Sequence, residues 1–549
     1  MSTTLLVGGT IYSPADPFAT AMLVVDDRVA WVGQDGAAAA FAADSDERVE
    51  LGGALVTPAF VDAHVHLTRT GLALEGVDLR AVASASELLD RLAEATARLP
   101  ASATVLGHGW DETDWSAGPV PSREQVDRAV GGRRAYLSRV DVHSCLASSA
   151  LVDSVPDAGA APGWDPCGPL RQQANTLVAA AALAGVGPVQ RRGAQRAALA
   201  QAARLGIGAV HEMGTEPEDL AMLAELRDPH ARSGHADPMG PEVFAYWAVR
   251  LGAGHGRDAE VLATARELGV VGLGGDLSVD GSLGSHTAAL GQPYADADHC
   301  GAQYLDAEEI RDHTVAATRA GWPVGFHAIG DAALAAVLEG LSGAGAQLGV
   351  EVLRAHRPRV EHAELVDPEM IQQMAGLGVV ASVQPVFDAA WGGPHGMYAR
   401  RLGARRALAA NPFARMSAAG LALAFGSDTP VTGMGPWAAV RAAATHHEPG
   451  SRLSARAAFT AHTRGGWRAI GRDDAGTLVP GALATYAVWH TGELVVAAPD
   501  DRVARWSTDP RSGTPALPDV GEPAGPTPFC RRTVVAGRVV HDTEGPERR

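Results

Sequence analysis

The chain has 549 residues, 45 Lys+Arg against 63 Asp+Glu and a formal net charge of −18. That acidic balance argues against nucleic acid or an anionic membrane surface as partner. Hydrophobic residues make up 46% and charged residues 20%, enough to bury a large core and too apolar for disorder. No lysine occurs, so all 45 basic residues are arginine. This excludes Schiff-base, P-loop and carbamylated metal-bridging lysines together. The four cysteines, Cys145, Cys167, Cys300 and Cys530, show no CxxC spacing and fit a reduced cytoplasmic chain. The first residues lack a signal-peptide pattern, and the longest apolar stretch, near residues 177–187, is too short to span a bilayer. A soluble, cytoplasmic protein is expected, and a homo-oligomer is compatible with it.

Taken in chain order, the first 57 residues read as short strands over 5–7, 21–25 and 29–32, with a turn at Asp26-Asp27. The run 54–66 reads as a strand ending in polar residues. A helix follows, opened by a Ser84…Glu87 capping box with Leu88, Leu92, Ala95 and Leu99 on one face. Residues from about 105 to 169, rich in Gly and Pro, fit the alternation poorly and read as a pocket-shaping insertion. Strand runs over 208–212, 275–280, 323–327, 359–362, 379–384 and 421–428 then alternate with helices, including 306–320 and one opened by Asp367-Pro368. The C-terminal end returns to strands at 484–489 and 533–540, the latter broken at Ala536-Gly537, and residues 510–528 read as a Pro/Gly-rich loop. The pattern predicts one β domain from 1–57 and 475–549 beside a parallel α/β unit over 58–474.

The chemistry concentrates at strand ends. His64 and His66 lie two apart on a strand, so both side chains face one way and can reach one metal ion. Chance alone supplies roughly 0.7 such pairs in a chain with this many histidines, so the pair is weak by itself. His327, His362 and Asp428 each close a later strand run in the same manner. In a barrel of parallel strands such ends share one face, where catalysis sits. Histidines with one carboxylate suit zinc, iron or manganese and leave a position for water.

With these residues placed, the chain resembles the amidohydrolase superfamily, in the type-three branch that contains N-substituted formamide deformylase. The resemblance covers nearly the whole chain. It is carried by the run 57–66, Gly107-His108-Gly109-Trp110-Asp111, Arg139-Val140-Asp141-Val142-His143, Asp280-Gly281-Ser282, Phe326-His327-Ala328, Val360-Glu361-His362-Ala363 and Gly426-Ser427-Asp428-Thr429-Pro430. It implies a distorted TIM-like (β/α)8 metallo-hydrolase barrel beside a small β-sandwich built from both termini. It also implies His64, His66, His327 and Asp428 as metal ligands, with His362 a second-metal ligand or substrate-orienting group. Asp428 would serve as the proton carrier. Trp110, Asp111, Arg139, Asp141, His143 and Asp280 become substrate-binding candidates. Many relatives carry a lysine four residues before Asp280-Gly281-Ser282; here that position is Asp276, too short to imitate carbamyl-lysine. One divalent ion, zinc first, is therefore expected, with Asp276 a ligand only if the backbone shifts. Asp331 reads as a helix cap.

The expected activity is metal-dependent hydrolysis of a non-peptide carbon–nitrogen bond in a small molecule. Ester or lactone hydrolysis and ring deamination keep the same metal chemistry. A catalytically inactive metal-binding homologue is the remaining class, disfavoured by the intact set that includes Asp428.

Overall fold

The computed structural model describes residues 2–115, 118–227, 240–252, 256–496, 515–521 and 525–543; parts of the loop read over 510–528 lie outside them. The fold is α/β with parallel and mixed sheets. One parallel sheet contains β1 (Phe60–Val65), β2 (Ile207–Glu212), β3 (Glu242–Trp247) and β4 (Gly272–Leu273), paired in that order. A second contains β5 (Gly325–Ala328), β6 (Arg359–His362), β7 (Val380–Val383) and β8 (Ala422–Phe425), also parallel and in order. Isolated parallel bridges link their edges: Leu273 with Val324, and Val65 with Thr429. Every residue of β1, β2, β5, β6 and β7 is buried, as strands covered on both faces must be. Because the strands share one direction, the ends bearing His64, His66, His327, His362 and Asp428 converge.

The helices between these strands carry the local signals expected of them. Asp306 accepts from the Glu309 amide while the Glu309 carboxylate returns to the Asp306 amide, a complete capping box on helix Ala307–Arg319. Asp367 caps helix Pro368–Leu377, accepting from the Met370 amide at 2.8 Å. No single helix among the described residues is long and apolar enough to cross a membrane.

The structure departs from the sequence pattern in three places. The run 54–66 is two strands, Leu55–Pro58 and β1, which break at Ala59 and serve different sheets. Leu55–Pro58 pairs antiparallel with Tyr486–His490, Val56 opposite Val488, whereas Phe60 pairs with Ile207 of β2. The strand expected over 275–280 lies earlier, at β4. Gly274 and Gly275 then take φ of +93° and +63°, values open mainly to glycine, and the chain leaves the sheet, touching it again at the Ser278–His327 bridge. The insertion over 105–169 belongs to a wider five-stranded sheet running from Val77–Asp78 to Leu170–Arg171. Two of its pairings are antiparallel, which is why a parallel αβ rhythm does not show there.

Strands from both ends of the chain share a sheet: Thr10–Ile11, Leu55–Pro58, Tyr486–His490, Phe529–Val535 and Arg538–Asp542. The break expected at Ala536-Gly537 is a hairpin turn with both residues at positive φ. Leu6, Met22, Val29, Leu478, Tyr486 and Val534 join one buried cluster. Phe60 seals the seam with the parallel sheets, its ring centroid 5.1 Å from Trp437 and 5.7 Å from Trp489.

Candidate active site at the ends of the parallel strands

The site grows from β1. Asp62 braces it, accepting from the His64 amide and from the Ser427 amide after β8 at 2.8 Å. His64 donates its Nδ1 proton to Glu361 at 2.8 Å. Glu361 is in turn held by the buried Arg359, whose Nε lies 2.8 Å away. A histidine fixed at Nδ1 by a carboxylate presents Nε2 as a basic, aimed ligand. That Nε2 is buried without a hydrogen-bond partner. It lies 3.4 Å from Asp428 Oδ1, as does His66 Nε2. His362 repeats the device: Nδ1 meets Gln384 Oε1 at 2.9 Å, and its buried Nε2 lacks a hydrogen-bond partner.

Asp276 sits at the centre. Its Oδ1 is 3.1 Å from His327 Nδ1, 3.4 Å from His362 Nε2 and 3.9 Å from His64 Nε2, and its Oδ2 is 3.6 Å from His66 Nε2. An aspartate reaches this far because the glycine pair carries the backbone inward, where the Asp276 amide bonds Met213 O at 3.1 Å. Among the described residues two groups can hold an ion: His64, His66 and Asp428, and His64, Asp276 and His362. Four atoms bound at about 2.1 Å around a tetrahedral ion lie roughly 3.4 Å apart, close to the separations here. His327, expected as a ligand, belongs to neither group. Its Nδ1 faces Asp276 and its Nε2 faces Gly281 O at 3.3 Å, so both nitrogens already have oxygen partners.

The charges suit a cation. Burial works against ionisation of Asp428, yet His64, His66 and His362 outweigh it and hold the carboxyl below its usual range. Asp276 is held well below its range against the same burial penalty, chiefly by His327 and His64. Burial opposes a charge on His66, but Asp276 and Asp428 raise it to about 10. The backbone is strained at this point: His362, Ala363 and Asp428 have φ of +69°, +49° and +56°, costing about 1–3 kcal/mol each and clustering where function commonly sits.

Two cavities flank the cluster. One of about 400 Å3 is reached from His66 and Asp276; the other, about 30 Å3, is lined by His362, Asp428 and Glu364. His143 lines both, and its neighbour His327 lines the smaller. Burial holds His143 down to about 4, so it is neutral at pH 7. The other substrate-binding candidates scatter. Arg139 and Asp141 line the smaller cavity but spend themselves on each other at 2.9 Å. Trp110 packs in a separate core, its indole N–H on Leu137 O, and Asp111 pairs with Arg139 at 2.6 Å; neither lines either of these cavities. Asp280 is buried, accepting from the amides of Ala289, Ile329 and Gly330. Asp331 Oδ1 accepts from the Gly291 amide at 2.8 Å and lies at the start of its helix. Sequence reasoning passed over Glu361, Gln384 and Glu212. Glu361 precedes His362, Glu212 ends its strand and Gln384 follows one, and a polar residue at a strand end was the available signal.

Convergent strand ends, histidines with free nitrogens and two acids make a site able to hold a metal ion on an α/β scaffold. The Amidohydrolase family model matches residues 47–541, and the chain belongs to that family. It is similar to protein LONG AFTER FAR-RED 3 of Arabidopsis thaliana, 29% identical over 89% of this chain and 87% of that one. It is also similar to N-substituted formamide deformylase of Arthrobacter pascens, 24% identical over 87% of this chain and 92% of that one. Among solved structures, an uncharacterized metal-dependent hydrolase from Pyrococcus furiosus is 28% identical with a TM-score of 0.68, covering 88% of this chain and 98% of its own.

Proposed function

We propose that the protein is a metal-dependent amidohydrolase that cleaves a non-peptide carbon–nitrogen bond of a small molecule. The observation that carries this is the contact of Asp428 Oδ1 with both His64 Nε2 and His66 Nε2 at 3.4 Å. The reading takes the eight parallel strands, bridged at both edges, as a distorted (β/α)8 barrel, and the sheets built from the termini as a β-sandwich beside it. It assigns one divalent ion, zinc first, to His64, His66 and Asp428, with Asp276 closing the set. His64 Nδ1 is taken up by Glu361, so both candidate groups draw on its Nε2, which favours one ion. When bound, such an ion acts as a Lewis acid and makes water acidic enough to ionise near neutral pH.

The chain's own groups do the rest. Asp428 takes the proton from the attacking water and returns it to the leaving nitrogen. Burial opposes a charge on His362, but Asp276 and Asp428 raise its pKa to about 9. The ring, locked at Nδ1 on Gln384, therefore carries an Nε2 proton to donate to the developing oxyanion. Glu361 and Arg359 hold the His64 ring in place. The joint substitution His64→Ala/His66→Ala tests this through metal content and turnover of a panel of amides, cyclic ureas, lactones and aminopurines. Both should be lost while the fold, followed by circular dichroism, stays. Full metal content in that variant would overturn the assignment.

A further inference from the structure

The larger cavity has one unusual wall. Helix Leu67–Glu75 follows directly after His66, and Arg69, Leu72 and Ala73 line the cavity from it. Their spacing of three and four residues puts them on one helical face. Opposite, Ala179, Leu183 and Trp247 supply apolar surface. Among the described residues, Arg69 is the one arginine lining this cavity. Arg69 is itself exposed, unlike the buried Arg139 and Arg359, which are matched with Asp141 and Glu361. Arg69 has no hydrogen-bond or ion-pair partner among the described residues, in a chain with 63 acids to 45 bases. Tyr136, Asn175 and Thr176 line the same cavity. Arg69 lies three positions after His66, roughly 4.5 Å along the helix axis.

We propose that Arg69 is a specificity-determining residue that receives an anionic, carboxylate-type group of the substrate. The placement of the scissile bond at the strand ends rests on the amidohydrolase reading; the anion site does not. An unpaired guanidinium binds a carboxylate through charge-assisted, bidentate hydrogen bonds. Glu216 lines the same cavity, so an amine is the competing occupant.

Calorimetry on the full chain with 3-phenylpropionate, 3-phenylpropionamide and 3-phenylpropylamine decides between them. The wild type should prefer the carboxylate, and Arg69→Met should weaken it about 10- to 100-fold. The neutral amide should bind both proteins equally, which shows the cavity intact, and Arg69→Lys should recover part of the loss. Carboxylate binding that survives Arg69→Met, or a wild-type preference for the amine, would overturn the proposal. N-acetylphenylalanine and N-acetyl-2-phenylethylamine, which differ by the carboxylate, extend the test to turnover. Arg69→Met should lower kcat/KM for the first alone. Hydrolysis of neither by the wild type counts against the amidohydrolase reading, whereas the anion site at Arg69 stands or falls on the calorimetry.

Discussion

Two buried charged clusters lie within reach of the same small cavity, and they are built on opposite terms. Around Arg139, each guanidinium nitrogen meets a carboxylate: Nε with Glu112 at 2.8 Å, one terminal nitrogen with Asp141 at 2.9 Å, the other with Asp111 at 2.6 Å. Asp141 also receives the hydroxyls of Ser282 and Ser285. At the strand ends, two acids face histidines whose buried Nε2 atoms, on His64 and His362, have no hydrogen-bond partner. Buried polar groups are almost always satisfied, so the first cluster is complete in itself and the second keeps binding capacity in reserve. Burial of charge alone does not distinguish a brace from a site. Unspent hydrogen-bonding capacity separates these two clusters, and the sequence motifs that hold Arg139 and Asp141 carry no trace of it.

Substitutions on the two sides should therefore fail differently. Asp428→Asn keeps an oxygen for an ion but cannot carry a proton, so kcat should fall by about 10²- to 10⁴-fold while metal content holds. Equal activity in variant and wild type would erase the contrast. Arg139→Met leaves buried carboxylates unpaired and should cost about 3–5 kcal/mol in denaturant unfolding. If it instead abolished turnover without loss of stability, Arg139 would belong to the site. Glu361→Gln should weaken metal binding by about 10- to 100-fold, because the partner that orients His64 loses its charge; a competitive chelator titration reads this. Asp111→Asn is the smallest change. Asp111 is partly exposed and Arg139 keeps two other acids, so about 1 kcal/mol or less is expected. A larger loss would show that the Arg139 cluster works as one unit.

Much of this was legible in the chain. His64-Val65-His66 and Asp428 could be read because alternation on a strand and the position of a polar residue at its end are local facts. The caps at Ser84 and Asp367, and the break at Ala536-Gly537, were readable for the same reason: each depends on a few consecutive residues. The family motifs added the functional class. Asp276 was legible as a departure but not as the centre of the cluster, since its reach depends on how Gly274 and Gly275 turn the backbone. The free nitrogens of His64 and His362 depend on Glu361 and Gln384, which sit on other strands. His327 looked equivalent to them in sequence and differs only because Asp276 and Gly281 O occupy its ring. Likewise, that Val56 would lie opposite Val488 rather than continue into β1 was set by which strands became neighbours. Local periodicity names the elements and their chemical ends. Which nitrogen is left over is decided by contacts between residues far apart in the chain, and only folding brings those together.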